Sequence, residues 1–248
     1  MPSIQDDRGY NQGYKPSKSL DVRNQRRCGF IAGSLGAGAG KKALEIGCGT
    51  GELAAMFAGK TGAQVFGTDI CGPFIEKAAA THKYPNLHFK MLDFNDAQAS
   101  SDIPSFGQFD MVFGNGILHH LYYNLDQSLL SVFSLLKPGG KIVFLEPNFF
   151  NPYCLLIFNI GIFRKMAKLE PSEMTFTAGY IKRKLMAAGF TGITAEYRDF
   201  LVPGVPDFMI KPSILIGGVM EKIPVLNLLA QSIYICASKP AEGNLKRI

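Results

Sequence analysis

The sequence has no cysteine pair spaced like a metal or disulfide motif. Cys28, Cys48, Cys71, Cys154 and Cys236 lie far apart, are odd in number, and include no CxxC or Cys/His cluster. That argues against structural zinc and for a reducing compartment. No apolar run is long enough for a bilayer: the longest, Tyr153 to Phe163, is broken by Asn159. The polar start MPSIQDDRGYNQGYKPSKS lacks the apolar stretch of a secretory signal. A cytoplasmic location is expected. Paired acids and histidine at the spacing of a magnesium-dependent catechol site are missing, so no metal is expected. Also missing are an added RNA-binding module and any tract interleaving aromatic with basic residues, so no nucleic acid partner is expected. Internal repeats and low-complexity tracts are absent too.

What is present is ordinary globular composition, 47% apolar and 19% charged over 248 residues. That length suits one large α/β domain with a proper core. The net charge of +6 is uneven. Residues 1–42 carry +5, residues 43–150 carry −4 and residues 151–248 carry +5. An acidic centre between basic flanks suits a cationic ligand in the middle and anionic surfaces outside it.

Strand and helix signals alternate through the first two thirds. Short apolar runs at Ala43–Ile46, Gln64–Thr68, Leu87–Leu92, Asp110–Phe113 and Lys141–Leu145 predict buried strands. Helices are predicted over Asp21–Leu35 with Ser19 or Asp21 as cap, Glu52–Gly59, Phe74–His82 behind Pro73, and Leu125–Leu136. Repeated βαβ units with continuous apolar strands imply a parallel sheet covered on both faces. Beyond Glu146 the regularity breaks. Residues 147–176 look irregular, and 201–224 form a Pro-rich insertion between a helix at Ala178–Ala188, the strand Gly192–Tyr197 and a last strand Gln231–Ala237. Residues 1–18 are expected to be an arm, 19–240 one domain and 241–248 a tail. The two insertions are expected to cap the carboxyl edge of the sheet, where ligands of such folds bind.

EIGCGTG, Glu45 to Gly51, follows the first strand and runs straight into Glu52. A dinucleotide fingerprint would place glycine where Glu52 stands, and a phosphate loop needs a lysine after Gly51. A loop with acid on both sides suits a ligand without phosphates and with positive charge. S-adenosylmethionine has an adenosine, an α-ammonium and a sulfonium.

Here the chain resembles the class I S-adenosylmethionine-dependent methyltransferases, strongly from Lys42 to Pro147 and more weakly at the last strand. ALEIGCGTGEL resembles their first motif, with Glu45 where aspartate is more frequent. VFGTDI, MLDF, FDMVFGNGILHHL and LLKPGGKIVFLEPN follow in order. The resemblance implies a Rossmann-like, seven-stranded, mostly parallel sheet with the last strand antiparallel. It implies a cofactor held by Glu45, Gly47, Cys48, Gly49 and Gly51, with Asp69 on the ribose hydroxyls beside Ile70. Asp93 would meet the adenine amino group, with Leu92 and Phe94 packed nearby. The fourth motif carries Gly114-Asn115-Gly116 and no acid, so contacts there would be backbone or Asn115.

Methyl transfer from a sulfonium needs alignment and exclusion of water, and a base only for a hydroxyl or acidic carbon. His120 matches the position where family members most often carry histidine and is the candidate base or acceptor-orienting group; Glu146 is the runner-up. Asn151-Pro152-Tyr153 follows the fifth strand rather than the fourth and lacks a second proline, so it is read as a turn. The apolar stretches CLLIFNIGIF and Phe208-Met209-Ile210, with basic Arg164, Lys165 and Lys168, point to an apolar small-molecule or lipid-linked acceptor, with Phe158, Phe163 or Phe208 lining its site. Peripheral contact with a membrane surface fits the same residues. An RNA or protein methyltransferase, and a non-catalytic cofactor-binding scaffold, are the alternatives. Oligomeric state is left open.

Overall fold

The computed structural model describes residues 17–94, 108–167, 169 and 173–241. Its seven strands are β1 (Lys42–Ile46), β2 (Gln64–Asp69), β3 (Leu87–Met91), β4 (Phe109–Asn115), β5 (Leu136–Pro147), β6 (Thr191–Arg198) and β7 (Ser232–Ser238). They form one sheet in the order β3-β2-β1-β4-β5-β7-β6. β1 to β5 pair in parallel, and β7 runs antiparallel to both β5 and β6. The Rossmann-like α/β reading with an antiparallel last strand is borne out.

Alternation along the strands fills two cores. Leu44, Ile46, Val112, Ile142 and Phe144 pack on one face with α4 (Leu125–Leu135) and α7 (Ala178–Ala187). Ala43, Met111, Phe113, Val143 and Leu145 pack on the other with α1 (Lys18–Leu35) and α2 (Glu52–Thr61). Phe57 of α2 meets Phe113 with ring centroids 4.6 Å apart. Burying a side chain of that size contributes about 1.5–3 kcal/mol. α3 (Gly72–Thr81) closes the β2–β3 crossover behind Pro73.

The structure corrects three sequence expectations. α1 starts at Lys18, capped by Ser17, whose hydroxyl accepts from the Leu20 amide at 3.3 Å. Ser19, the expected cap, is buried and accepts instead from Gly204 N–H at 2.8 Å. Residues 147–176 are not irregular throughout: they carry α5 (Pro152–Asn159) and α6 (Gly161–Met166). Asn151-Pro152-Tyr153 is the start of α5. The Asn151 side chain accepts from the amides of Tyr153 and Cys154, and Pro152 takes the first helical position, where no N–H is needed.

The second insertion contains α8 (Asp207–Met220). Asn148 donates to the carbonyls of Leu228 and Ala230, and Asn151 to that of Leu229, each at 2.7 Å. The segment after β5 is thereby stitched to the chain that follows the second insertion. Among the described residues no helix is long and apolar enough to cross a membrane.

Candidate functional site

The glycine loop leaves β1 with Gly47, Gly49 and Gly51 at φ of 68°, 53° and 85°. All three lie in the left-handed region that side chains disfavour. A Cβ on Gly47 would lie 2.6 Å from Ile117 Cδ1, and one on Gly51 would lie 2.6 Å from Phe89 Cζ. These two glycines are required by protein neighbours of the loop. The loop closes through Gly51 N–H to Cys48 O, and the Cys48 N–H reaches Thr68 O, both at 2.9 Å. The Cys48 side chain is buried under the loop, so what it offers a ligand is backbone.

Asp69 ends β2 and clamps this loop. Its Oδ2 accepts from Gly49 N–H and its Oδ1 from Cys71 N–H, both at 2.9 Å. Each carboxylate oxygen has two acceptor positions, so these bonds are compatible with a pair of ribose hydroxyls. Ile70 follows, half-buried. Leu92 N–H bonds Asp69 O at 2.9 Å, which sets half-buried Asp93 beside the end of β2. Leu92 and Phe94 lie in the hydrophobic core. Phe94 is anchored by Ser128, whose hydroxyl donates to its carbonyl at 3.2 Å.

Glu45 is buried, and its Oε2 has no hydrogen-bond partner among the described residues. Burial, then the charges of Asp69 and Glu52, push its carboxyl well above the usual carboxylate range, against a bond from the Ala54 amide. An unsatisfied buried carboxyl oxygen beside a glycine loop fits a ligand carrying an ammonium group, which would stabilise the ionised form. The residues present therefore fit S-adenosylmethionine. Its glycine loop, Glu45 and Asp69 would hold it, and the bound group would supply an electrophilic methyl.

The other half of the site follows β4, the neighbour of β1 in the sheet. Asn115 does not stand open: its Oδ1 accepts from Arg27 Nη1 at 2.7 Å. Arg27 also donates to Asp199 and Ser232, and Arg23 donates to the same Asp199 oxygen. All three charged groups are buried. Burial raises the Asp199 carboxyl, but Arg27 and Arg23 outweigh it and hold it below the usual carboxylate range.

A 3-10 turn, Leu118–Asn124, carries the two histidines. Glu146 is neither a solvated strand end nor an available base. It is fully buried and accepts from the amides of Ile117, Leu118 and His119 at 3.0, 2.8 and 3.3 Å, and from His119 Nδ1 at 2.9 Å. It fixes the start of the turn as a capping acid would. His119 is buried and held, whereas the His120 side chain keeps 22% of its surface exposed.

The cap reaches this point through Phe158, whose ring meets that of His119 edge-on at 6.0 Å. Of the other aromatics expected at the acceptor site, Phe163 and Phe208 are 38% and 78% exposed. Neither lines a buried tunnel. Lys168 lies outside the described residues.

Sequence reasoning missed Arg23, Arg27, Asp199 and Glu173. The i, i+4 spacing of the arginines was visible, but it reads equally as a solvated helix face.

A family model described as "Methyltransferase domain" matches residues 44–142. The chain is 29% identical over 210 residues to an S-adenosyl-L-methionine-dependent Diels-Alderase of Talaromyces variabilis, covering 78% of this chain and 66% of that protein. It is thus slightly under two thirds of that relative's length. It is 28% identical over 206 residues to a ubiquinone biosynthesis O-methyltransferase of Acinetobacter baumannii, covering 76% and 83%. The crystal structure of a SAM-dependent methyltransferase from Archaeoglobus fulgidus superposes with a TM-score of 0.63 at 20% identity, covering 93% of this chain and 98% of that one. With the glycine loop and strand order described above, residues 44–142 carry the methyltransferase domain of the class I S-adenosylmethionine-dependent enzymes, whose cofactor is S-adenosylmethionine.

Proposed function

We propose that the chain transfers the sulfonium methyl of S-adenosylmethionine to a small, apolar or lipid-linked acceptor. The observation that carries this reading is the adjacency of two strand ends. β1 delivers the glycine loop and β4 delivers His119 and His120, and the two strands are neighbours at the carboxyl edge. A methyl donor and an acceptor can be aligned there for in-line displacement. The acceptor lone pair bonds the methyl carbon, the C–S bond breaks with its electrons passing to sulfur, and the acceptor proton leaves. His120, the more open of the two histidines, takes that proton or orients the group that loses it.

The cap supports an apolar acceptor. Tyr153, Leu156, Ile162 and Met166 on α5 and α6, and Phe208, Leu215, Ile216 and Val219 on α8, are exposed. Arg164 and Lys165 add charge at the end of α6. Surfaces of this kind serve apolar ligands or rest on anionic lipid. One relative is named a ubiquinone biosynthesis O-methyltransferase, and that name is compatible with this reading.

The test is extraction after incubation of cell lysate with the protein and methyl-labelled donor. Label in an apolar small molecule supports the reading. Label in RNA or protein overturns it, and cofactor binding with neither label nor any converted small molecule assigns the chain to a scaffold. An acceptor product of unchanged mass would match the chemistry named for the Talaromyces relative.

A further inference from the structure

We propose that His119, His120 and Glu173 form a binding site for a divalent transition-metal ion. Each offers a ligand atom, and the three atoms lie within 4.8 Å of one another. Two imidazoles and one carboxylate are a donor set that suits zinc, iron(II) or cobalt(II), and three protein ligands leave a coordination position open. Glu173 comes from the cap, more than fifty residues downstream of the histidines, so the set exists only in the fold.

Four features are those of a built site. The first is the carboxylate behind the ligand. A carboxylate can only accept, so the 2.9 Å bond from His119 Nδ1 to Glu146 fixes the proton on Nδ1 and puts the ring lone pair on Nε2. Metal-bound histidines commonly carry such a partner, which sets their tautomer and orientation. The second is the distance between His120 Nδ1 and Glu173 Oε1, 3.7 Å. That is too long for a hydrogen bond but close to the edge of a tetrahedron around zinc, about 3.4 Å for bonds of about 2.1 Å. The third is burial. Glu173 is 1% and His119 7% exposed, and His120 alone opens on solvent, so the set has one entrance. The fourth is positioning of the distant ligand. Arg164 Nη1 donates to the carbonyls of Phe158 and Glu173 at 2.7 and 3.1 Å, tying the Glu173 backbone to the end of α5.

The consequence for chemistry rests on the methyltransferase reading above. An ion here stands where the acceptor must be aligned and leaves a position for an acceptor oxygen. Coordination lowers the pKa of such an oxygen, so its proton leaves to solvent and the lone pair is available at neutral pH. His120 then orients the acceptor through the ion. The substrate class that follows is an oxygen nucleophile, a phenol or enol, on an apolar body.

The experiment uses the full chain stripped of metal with chelator and titrated with Co(II), followed by visible absorption, and with Zn(II) against a chromophoric chelator. One ion per chain is expected. Glu173→Gln and His120→Gln should each weaken it by about tenfold to a hundredfold or more, while His88→Gln, an exposed histidine, changes nothing. Binding of S-adenosylhomocysteine by each variant, equal to wild type, certifies the fold. No stoichiometric uptake by wild type, or uptake unaltered in both ligand variants, overturns the proposal. Loss of S-adenosylhomocysteine binding by wild type would instead overturn the methyltransferase reading and leave the metal result standing.

Discussion

Asp199 Oδ2 accepts at once from Arg23 Nε at 2.8 Å and Arg27 Nε at 2.9 Å. One carboxylate therefore answers two buried guanidinium groups of the first helix. Removing its charge leaves both without their shared counter-ion. Asp199→Asn should cost about 3–5 kcal/mol, the scale for breaking a buried pair.

The same residue sets an acid limit. Its folded pKa lies below the unfolded value, so its contribution is present above about pH 4 and is lost as pH falls through the folded value. In urea unfolding the gap between wild type and Asp199→Asn should narrow steadily as pH drops below about 4. A gap that stays constant to strongly acid pH would remove Asp199 from this role.

Glu45 behaves in the opposite sense. Its folded carboxyl is raised, so the cofactor-free protein loses stability as pH climbs through that raised value. Glu45→Gln should be at least as stable as wild type at pH 7 yet bind S-adenosylhomocysteine less tightly, by about 1.5–3 kcal/mol. Calorimetry in buffers of different ionisation enthalpy should show wild type releasing a proton on binding. Equal affinity and no proton release would show that Glu45 does not meet the ammonium.

Asp69→Ala removes the clamp on Gly49 and Cys71 together with the ribose acceptor. Affinity for the cofactor should fall by about 1.5–3 kcal/mol, and stability should fall by about 1 kcal/mol for each lost loop bond. Normal affinity in a destabilised variant would confine Asp69 to holding the loop.

Gly49→Val places a β-branched residue at a φ of 53°. Strain of about 1–2 kcal/mol is expected, with most of the fold retained and cofactor binding abolished. Binding at wild-type strength would mean that the loop backbone does not approach the ligand.

Lys165 should matter to membranes and not to the cofactor, whereas Arg164 is already engaged by the carbonyls of Phe158 and Glu173. Lys165→Glu should weaken sedimentation with anionic vesicles, at about 1 kcal/mol per charge at low salt. Identical sedimentation of variant and wild type would end the membrane-surface reading and leave the apolar acceptor untouched.

The strands and the glycine loop were legible because their signals are local. Short apolar runs such as Ala43–Ile46, and glycines where φ must be positive, need no distant partner to be seen. α5 was not legible. Its Leu155 and Leu156 face solvent, so the segment has no apolar stripe and looked irregular. Glu146 offers itself in the sequence as a base because the amides and the imidazole that donate to it lie twenty-seven to twenty-nine residues back in the chain. The Arg23 and Arg27 partners are farther still, at separations of 176 and 172 residues.

Those separations divide the first helix in time. Its second half, Cys28, Ile31, Ala32 and Leu35, packs with Ala54 and Phe57, which leave the ribosome soon after it. Its first half bonds to Asp199, Gly204 and Ser232, which are made 172 to 205 residues after their partners in the helix. During synthesis the helix can be seated at one end long before the other has anything to hold. Closure of that end is thus a late, long-range event, the kind that slows folding and leaves a nascent chain exposed to mispairing until the final strand arrives.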